Sequence, residues 1–412
     1  MKQLHRPCPV CNQPTGDVVH SQRFEVPSEL NVAEAFDVVT CPGCGLAFAD
    51  MVTDQQVLDE VYEEESKYAD TTLYGESGDD GAPSQAPWDI ERLRATADVL
   101  AAEIGDRDVR VLDAGCATGS LLGFLEEHGF TNLVGLDPSP VATATVRRVH
   151  AVEAYTGSFF SPPPEVGECD VVVLSHVLEH LADVQGAAAG LHRMLRPGGV
   201  AYLEVPDATL YARYLVAPYH DFNIEHINHF SLPTLQRLLT ATGFETVTTG
   251  VKVDRNSPTF LYPAIYGLWR KTDPPTTRIA TDPDTELRGA IEEYVRASER
   301  LMNEIDAELR ARLAGADQVI VWGTGNLAMK LLCDTVLAET PIAAIVDSSP
   351  QNQGRHLAGA VVEAPETVKS LPYPIVVTSI HHEESIVAVI RDELGVDNEI
   401  VTLPHPDGAR IS

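Results

Sequence analysis

No run of eighteen apolar residues occurs in this chain, so no membrane-spanning helix is expected. The opening stretch, Met1-Lys-Gln-Leu-His-Arg-Pro-Cys8, lacks the apolar core of a secretory signal. A cytoplasmic protein with no membrane partner is the expectation. Basic residues are scarce: 29 Lys and Arg stand against 61 Asp and Glu, for a net charge of −32. Such a surface repels a phosphate backbone, which argues against a nucleic-acid partner and requires local basic spots for any nucleotide substrate. Length is not short. The 412 residues suffice for two or three domains, each with its own core. The sequence assigns no oligomeric state.

Cysteine is sparse too, and its seven copies do not read as a disulfide set. Four of them fall into two C-x-x-C knuckles, Cys8-Pro-Val-Cys11 and Cys41-Pro-Gly-Cys44, with 29 residues between them. Each knuckle reverses the chain so that two thiolates face one point, and four such sulfurs form a closed tetrahedral zinc site. With no open coordination position, the zinc would be structural. A redox-active pair is the competing reading. Room between the knuckles predicts a hairpin, His20 to Val26 and then Ala35 to Thr40.

The most informative stretch is Val111-Leu-Asp-Ala-Gly-Cys-Ala-Thr-Gly119, read with Leu133-Val-Gly-Leu-Asp137. An apolar strand ends in an acid, a glycine-bearing turn follows, and a helix opens at Ser120. A second strand then ends in Asp137, where a doubly wound fold grips ribose hydroxyls. The turn lacks the pyrophosphate-cradling glycine triplet and carries an acid before its first glycine. It resembles the motif of class I S-adenosylmethionine-dependent methyltransferases, whose ligand is cationic. That resemblance implies that Asp113, Gly115, Cys116 and Gly119 surround the ligand, with Asp113 near its methionine end and Asp137 on its ribose. A glycine turn with no ligand is the alternative.

From about Pro87 strands and helices alternate. Helices are predicted at Trp88–Ile104, Ser120–His128, Pro140–His150 and Val184–Leu195. Strands are predicted at Val109–Asp113, Leu133–Asp137, Asp170–Ser175 and Gly199–Val205, short apolar runs of the kind buried in parallel sheets. The order predicts an α/β, Rossmann-like sheet with ligands at the carboxyl ends of its strands. His176-Val-Leu-Glu179-His180 follows one such strand. The pattern H-x-x-E-H is also the inverted zinc-peptidase motif, but its place at the strand end favours His180 as an acid, a base or an orienting group. A packed histidine is the bland alternative. The densest group of ionisable residues is Tyr219-His-Asp-Phe-Asn-Ile-Glu225-His226-Ile-Asn-His229-Phe-Ser231. Glu225 and His226 read as a general base and its partner, in preference to metal ligands.

After a Pro/Thr/Asp-rich linker between Lys271 and Asp284, an amphipathic helix is predicted over Thr285–Leu313. Next comes Gln318-Val-Ile-Val-Trp-Gly323-Thr-Gly325-Asn-Leu-Ala328, and a strand, Ala343-Ala-Ile-Val-Asp347, ends in an acid 22 residues beyond Gly325. Taken alone this is a NAD-type fingerprint. A reductase fused to a methyltransferase is therefore the rival reading, although no Ser-Tyr-Lys set follows. A structural role without ligand is a third.

The four-cysteine segment, the methyltransferase-like core, and Glu225-His226 followed by His229-Phe230-Ser231 together resemble the zinc-containing sugar C-methyltransferases. These act on nucleotide-linked 4-keto-6-deoxyhexoses. The resemblance implies three modules: a zinc-binding segment (residues 1–60), a methyltransferase core (61–271) and a C-terminal Rossmann-like domain that handles the nucleotide sugar (285–412). It implies S-adenosylmethionine as co-substrate, structural Zn²⁺ and a nucleotide sugar as the small-molecule partner. It places His226 as the base at carbon 3 and His180 as an active-site histidine. The family typically carries Tyr two residues before the Glu. Here Asn223 stands there, able to donate a hydrogen bond but not a phenol proton. A second family Tyr corresponds to Tyr74. Methylation at oxygen or nitrogen of another acceptor is the alternative.

Overall fold

The computed structural model describes residues 1–30, 32–51, 55, 87–255, 257, 260–272 and 282–406. Tyr74 and most of the expected linker lie outside the described residues. At the N-terminus, β1 (Lys2–Gln3), β2 (Thr15–Arg23), β3 (Ala35–Thr40) and β4 (Ala47–Asp50) form an antiparallel meander. The expected hairpin is present, with its first strand opening earlier, at Thr15. Its two C-x-x-C turns flank β2 and β3, which brings the knuckles to one end of the sheet.

The central sheet is built on β5 (Arg110–Ala114), β6 (Asn132–Asp137), β7 (Glu153–Thr156), β8 (Cys169–Ser175) and β9 (Leu195–Pro206), all parallel. The chain returns through α1 (Pro87–Glu103), α2 (Ser120–Glu127), α3 (Pro140–Val149) and α4 (Val184–Met194). Val111, Leu112, Val134, Val172 and Leu203 are buried, and each such side chain contributes about 1.5–3 kcal/mol. Helix starts are marked by side chains: Ser139 accepts from Ala142 N and Asp183 from Gly186 N.

Two strands that the sequence pattern did not announce complete the sheet. After β10 (Asn228–His229) and α5 (Leu232–Ala241), the chain forms an antiparallel hairpin of β11 (Phe244–Arg255) and β12 (Leu261–Lys271). β12 inserts beside β9, giving the order β11-β12-β9-β8-β5-β6-β7. β10 leaves the central sheet altogether and pairs with β4, so the N-terminal sheet takes the segment just after His226 as its edge.

The third body opens with α6 (Thr285–Arg312), capped by Asp284, which accepts from Glu286 N and Leu287 N. Its sheet contains β13 (Val319–Trp322), β14 (Ile342–Val346), β15 (His356–Leu357), β16 (Ala360–Glu363), β17 (Ile375–Val377) and β18 (Ile400–Val401). The order is β15-β16-β14-β13-β17-β18, parallel except at β15. α7 (Asn326–Asp334) follows β13. Leu287, Ile291, Tyr294 and Ile305 of α6 share one continuous core with Phe36 and Val38 of the N-terminal sheet, with Phe222 and Ile227, and with Val319 and Val376. Among the described residues, no helix is long and apolar enough to cross a membrane.

Candidate active site

The turn after β5 is held open by its backbone. Gly115 sits at φ +85°, and a Cβ there would stand 2.7 Å from Val177 Cγ2, so this turn lies directly against the His176–His180 turn. Gly119 sits at φ +88°, with a would-be Cβ 2.9 Å from His150 and Val146. Gly115 N and Cys116 N donate to Leu136 O at 2.7 and 3.1 Å, and Cys116 is buried beneath the turn. Asp137 accepts from Ala117 N at 2.8 Å and from Ser139 N at 2.9 Å, so its carboxylate ties the two strand ends together. Asp113 is only 4% exposed. Burial, reinforced by Asp137 and opposed by Arg92, pushes its carboxyl up to about 7. The site therefore holds two buried carboxyls whose ionisation burial disfavours, and a cationic ligand beside them would stabilise the ionised form.

His176 begins the next turn in the left-handed region, at φ +55°. Only a 3₁₀ turn follows, Leu178–His180, so the two histidines of H-x-x-E-H are not presented on one α-helical face. The zinc-peptidase reading ends there. His176 instead spans two buried carboxylates, with Nδ1 3.2 Å from Glu179 Oε1 and Nε2 3.0 Å from Glu204 Oε1. Burial disfavours its charge, but these two hydrogen bonds outweigh burial and raise its pKa. Fully buried Glu204 also accepts from Tyr202 Oη at 2.7 Å and Thr96 Oγ1 at 3.2 Å, and pairs with Lys252 Nζ at 2.9 Å. Burial raises its pKa, yet His176, Lys252 and Arg92 together hold it well below the usual carboxylate range.

His180 and His226 meet edge to face, ring centroids 4.8 Å apart. His180 Nδ1 lies 3.1 Å from Glu225 O, which fixes that ring by a backbone contact. Glu179 joins the pair: its carboxylate and one nitrogen from each ring lie within 4.8 Å of one another. Glu225 itself is exposed. Asn223 shapes the loop, its Oδ1 accepting from Glu225 N at 2.8 Å and His226 N at 2.7 Å while Nδ2 donates to His220 O. Burial and the surrounding imidazoles, His180 first, hold the His226 pKa well below its ordinary value.

Two supporting residues carried no sequence signal of their own. Asn228 Nδ2 donates to Leu181 O at 2.8 Å and Leu178 O at 3.1 Å, stapling the His226 loop to the Glu179 turn. Arg6, two residues before the first knuckle, donates to Asn228 Oδ1 at 2.7 Å and Ala182 O at 2.8 Å. An isolated Asn or Arg in a loop has no pattern by which to be found.

Cys8, Cys11, Cys41 and Cys44 bring their sulfurs within 4.8 Å of one another, with Cys8–Cys44 at 3.5 Å and Cys11–Cys41 at 3.4 Å. A tetrahedral ion with metal–sulfur bonds near 2.3 Å asks for sulfurs about 3.8 Å apart, so the four thiols fit it. Hydrogen bonds from its neighbours, Cys11 first, hold the Cys41 thiol below its ordinary value.

A cleft of about 590 Å³ opens at the carboxyl ends of β13, β14 and β17. Gly323, Asn326, Asp347 and His381 line it, and His220 reaches it from the loop that ends in His226. Asp347 Oδ2 accepts from Thr324 N at 3.0 Å and Thr324 Oγ1 at 2.6 Å, closing the Gly323–Gly325 turn as Asp137 closes the first.

Residues 87–249 match a family described as a methyltransferase domain. The central module is a methyltransferase domain. Residues 315–402 match a second family, described as "C2185-like, N-terminal". The methyltransferase module is similar to a probable S-adenosylmethionine-dependent methyltransferase of Mycolicibacterium smegmatis, 30% identical over 174 residues, covering 42% of this chain and 65% of that protein. It is also similar to a malonyl-[acyl-carrier protein] O-methyltransferase of Enterobacter lignolyticus, 34% identical over 112 residues, covering 27% and 44%. The chain thus matches less than two thirds of the length of these relatives. Among solved structures, magnesium protoporphyrin IX methyltransferase of Synechocystis PCC 6803 with bound SAM aligns at 17% identity with a TM-score of 0.39, covering 54% of this chain and 99% of that one.

Proposed function

We propose that the protein is an S-adenosylmethionine-dependent methyltransferase that methylates a carbon of a nucleotide-linked 4-keto-6-deoxy sugar through an enolate. The observation that carries this reading is the His180–His226 pair, 4.8 Å between centroids, with His180 on a turn packed against the Gly115 turn. When bound, S-adenosylmethionine supplies an electrophilic sulfonium methyl. Asp113 offers a desolvated carboxylate to its positive charge, and Asp137 sits where ribose hydroxyls are held. His226, kept neutral by burial, removes the proton alpha to the ketone, and the carbon so exposed is aligned for methyl transfer. The second N–H of Asn223 Nδ2 is the donor nearest in sequence for the enolate oxygen, in place of the family's Tyr. Structural zinc at the four cysteines holds the N-terminal segment. The C-terminal cleft takes the nucleotide, with His220 linking it to the base six residues along the same loop.

Mass spectrometry of nucleotide 4-keto-6-deoxy sugars incubated with enzyme in D₂O tests the reaction. Deuterium uptake without the methyl donor, and gain of one methyl group with it, is the expected result. Methyl gain on a substrate without an exchangeable alpha C–H would assign a heteroatom acceptor instead.

The raised pKa of Asp113 gives a second expectation. A cationic ligand binds the ionised carboxylate, so S-adenosylmethionine affinity should rise with pH up to about 7 and then level off. In the free protein the sign is opposite. A carboxyl raised above its unfolded value near ~4 adds stability below that value, and this is lost as pH rises through about 7. Asp113→Asn should therefore bind the donor weakly at every pH yet melt above the parent at pH 8. Calorimetric titration and melting curves between pH 5 and 9 check both arms, and a variant that binds like the parent would remove Asp113 from the donor site.

A further inference from the structure

Among the described residues, Glu179 is the carboxylate grouped with the imidazole pair, and the reading of His226 as base leaves it without a task. It is 1% exposed, and its Oε2 is buried with no hydrogen-bond partner among the described residues. Its Oε1 faces His176 Nδ1 at 3.2 Å on one side and His180 Nε2 at 3.8 Å on the other. Behind it runs the chain His176–Glu204–Lys252, with contacts of 3.0 and 2.9 Å. A carboxylate buried with an idle oxygen is costly unless a charge or donor arrives to use it.

We propose that Glu179 is a positioning residue for the His180–His226 pair, its carboxylate, within 4.8 Å of both rings, receiving the N–H of the imidazolium that forms when His226 takes the substrate proton. The inference rests on His226 being that base. The proton moves from the substrate carbon to the imidazole and the C–H electron pair becomes the enolate. A new carbon–carbon bond then forms as the sulfonium carbon–sulfur bond breaks, and the imidazolium later returns its proton to water. Without a counter-charge this imidazolium would form amid His180, His229, His220 and His176, each of which disfavours positive charge on His226. Glu179 supplies the counter-charge. His176, bonded to both Glu179 and Glu204, holds the carboxylate beside the pair, with one oxygen within 4.8 Å of a nitrogen of each ring. The loop carrying His226 is fixed to the same turn, because Ile227 N donates to Glu179 O at 3.0 Å.

Among the described residues, Glu179 also interacts with the hydroxyls of Tyr211 and Tyr262, both held in the neutral form by burial. Removing the Glu179 charge should therefore act on the imidazoles beside it, His176 and the pair, and leave these tyrosines neutral. Glu179→Gln is expected to lower kcat roughly 10²-fold. It should also move the acid limb of kcat/KM about one pH unit lower, since an opposite charge has been taken from the base. Its melting temperature and S-adenosylmethionine affinity should stay those of the parent. An unchanged kcat and acid limb overturn the proposal, as does a loss of rate with an unmoved limb. If the Gln variant does not fold, Glu179→Asp keeps the charge but draws it back by one methylene. Reduced kcat with a parental acid limb is then expected, and a fully parental kcat overturns the proposal. His226→Ala measured in parallel separates the two readings. Turnover retained there defeats the base assignment, whereas turnover lost there with Glu179→Gln fully active defeats only the role of Glu179.

Discussion

Substituting His226 by Ala is expected to lower turnover by about 10³-fold and to stop deuterium exchange into the substrate, with S-adenosylmethionine affinity unchanged. The separation of effects follows from position. His226 lies on the loop after β9, within an edge-to-face contact of His180, whereas the carboxylates offered to the donor, Asp113 and Asp137, end β5 and β6. Burial and the neighbouring imidazoles hold the His226 pKa below its ordinary value, which favours the neutral, proton-accepting form. A steady-state assay alone would not distinguish loss of the base from a collapsed loop. The exchange reaction and donor titration, run on one preparation, do so, because a collapsed loop would carry the Gly115 turn with it through Val177. Full exchange in the variant would transfer the role of base to His180.

Zinc removal should have the second large effect. Structural zinc supplies roughly 10–16 kcal/mol of binding free energy, comparable with the whole stability of a domain. Chelation or Cys41→Ser is therefore expected to unfold the N-terminal segment, and metal analysis of the parent should find one zinc per chain. Full activity with substantially less than one zinc would end this reading. Activity should fall together with metal content, although the four cysteines lie apart from the His180–His226 pair. Arg6 gives the route: it leaves the first knuckle by two residues, and its guanidinium holds Asn228, which holds the Glu179 turn. β10 gives another, since Asn228 and His229 are paired to Phe48 and Ala47. Circular dichroism during chelator titration, followed alongside turnover, checks that both signals fall over the same range.

Much of this architecture was legible in local pattern. Ser120–Glu127, Pro140–Val149 and Val184–Met194 begin at the expected residues and end one residue earlier, because caps and prolines punctuate chain locally. β5, β6 and β8 are short apolar runs bounded by polar residues, and the knuckles carry their own spacing. The β11–β12 hairpin was not legible. β11 runs as Phe244-Glu-Thr-Val-Thr-Thr-Gly-Val-Lys, largely exposed, and its place as a sheet edge depends on β12 entering beside β9. Nor could the pattern show Glu179 facing the histidine pair while Glu225 points to solvent, because adjacent Glu and His in a loop carry no fixed angle. In the sequence Asn223 reads as a hydrogen-bond donor, and the geometry also gives it the task of turning the loop. The internal polar chain around Glu204 joins α1, the turn after β8, β9 and β11, and contacts of such sequence separation leave no periodic trace.

Gly45 follows the last cysteine of the second knuckle at φ +86°, its α-carbon pressed against the backbone of Asp284 so closely that no side chain fits. Asp284 N donates to Cys44 O at 3.0 Å, and its carboxylate takes Ser231 Oγ at 2.5 Å while capping α6. Three segments far apart in sequence thus converge on one aspartate. The modules are not portable parts: a cut on either side of residue 284 would strand a helix start, a knuckle carbonyl and a second helix cap together. Grafting the C-terminal body of a relative onto this core would need that junction carried across intact, whatever the match of the two clefts.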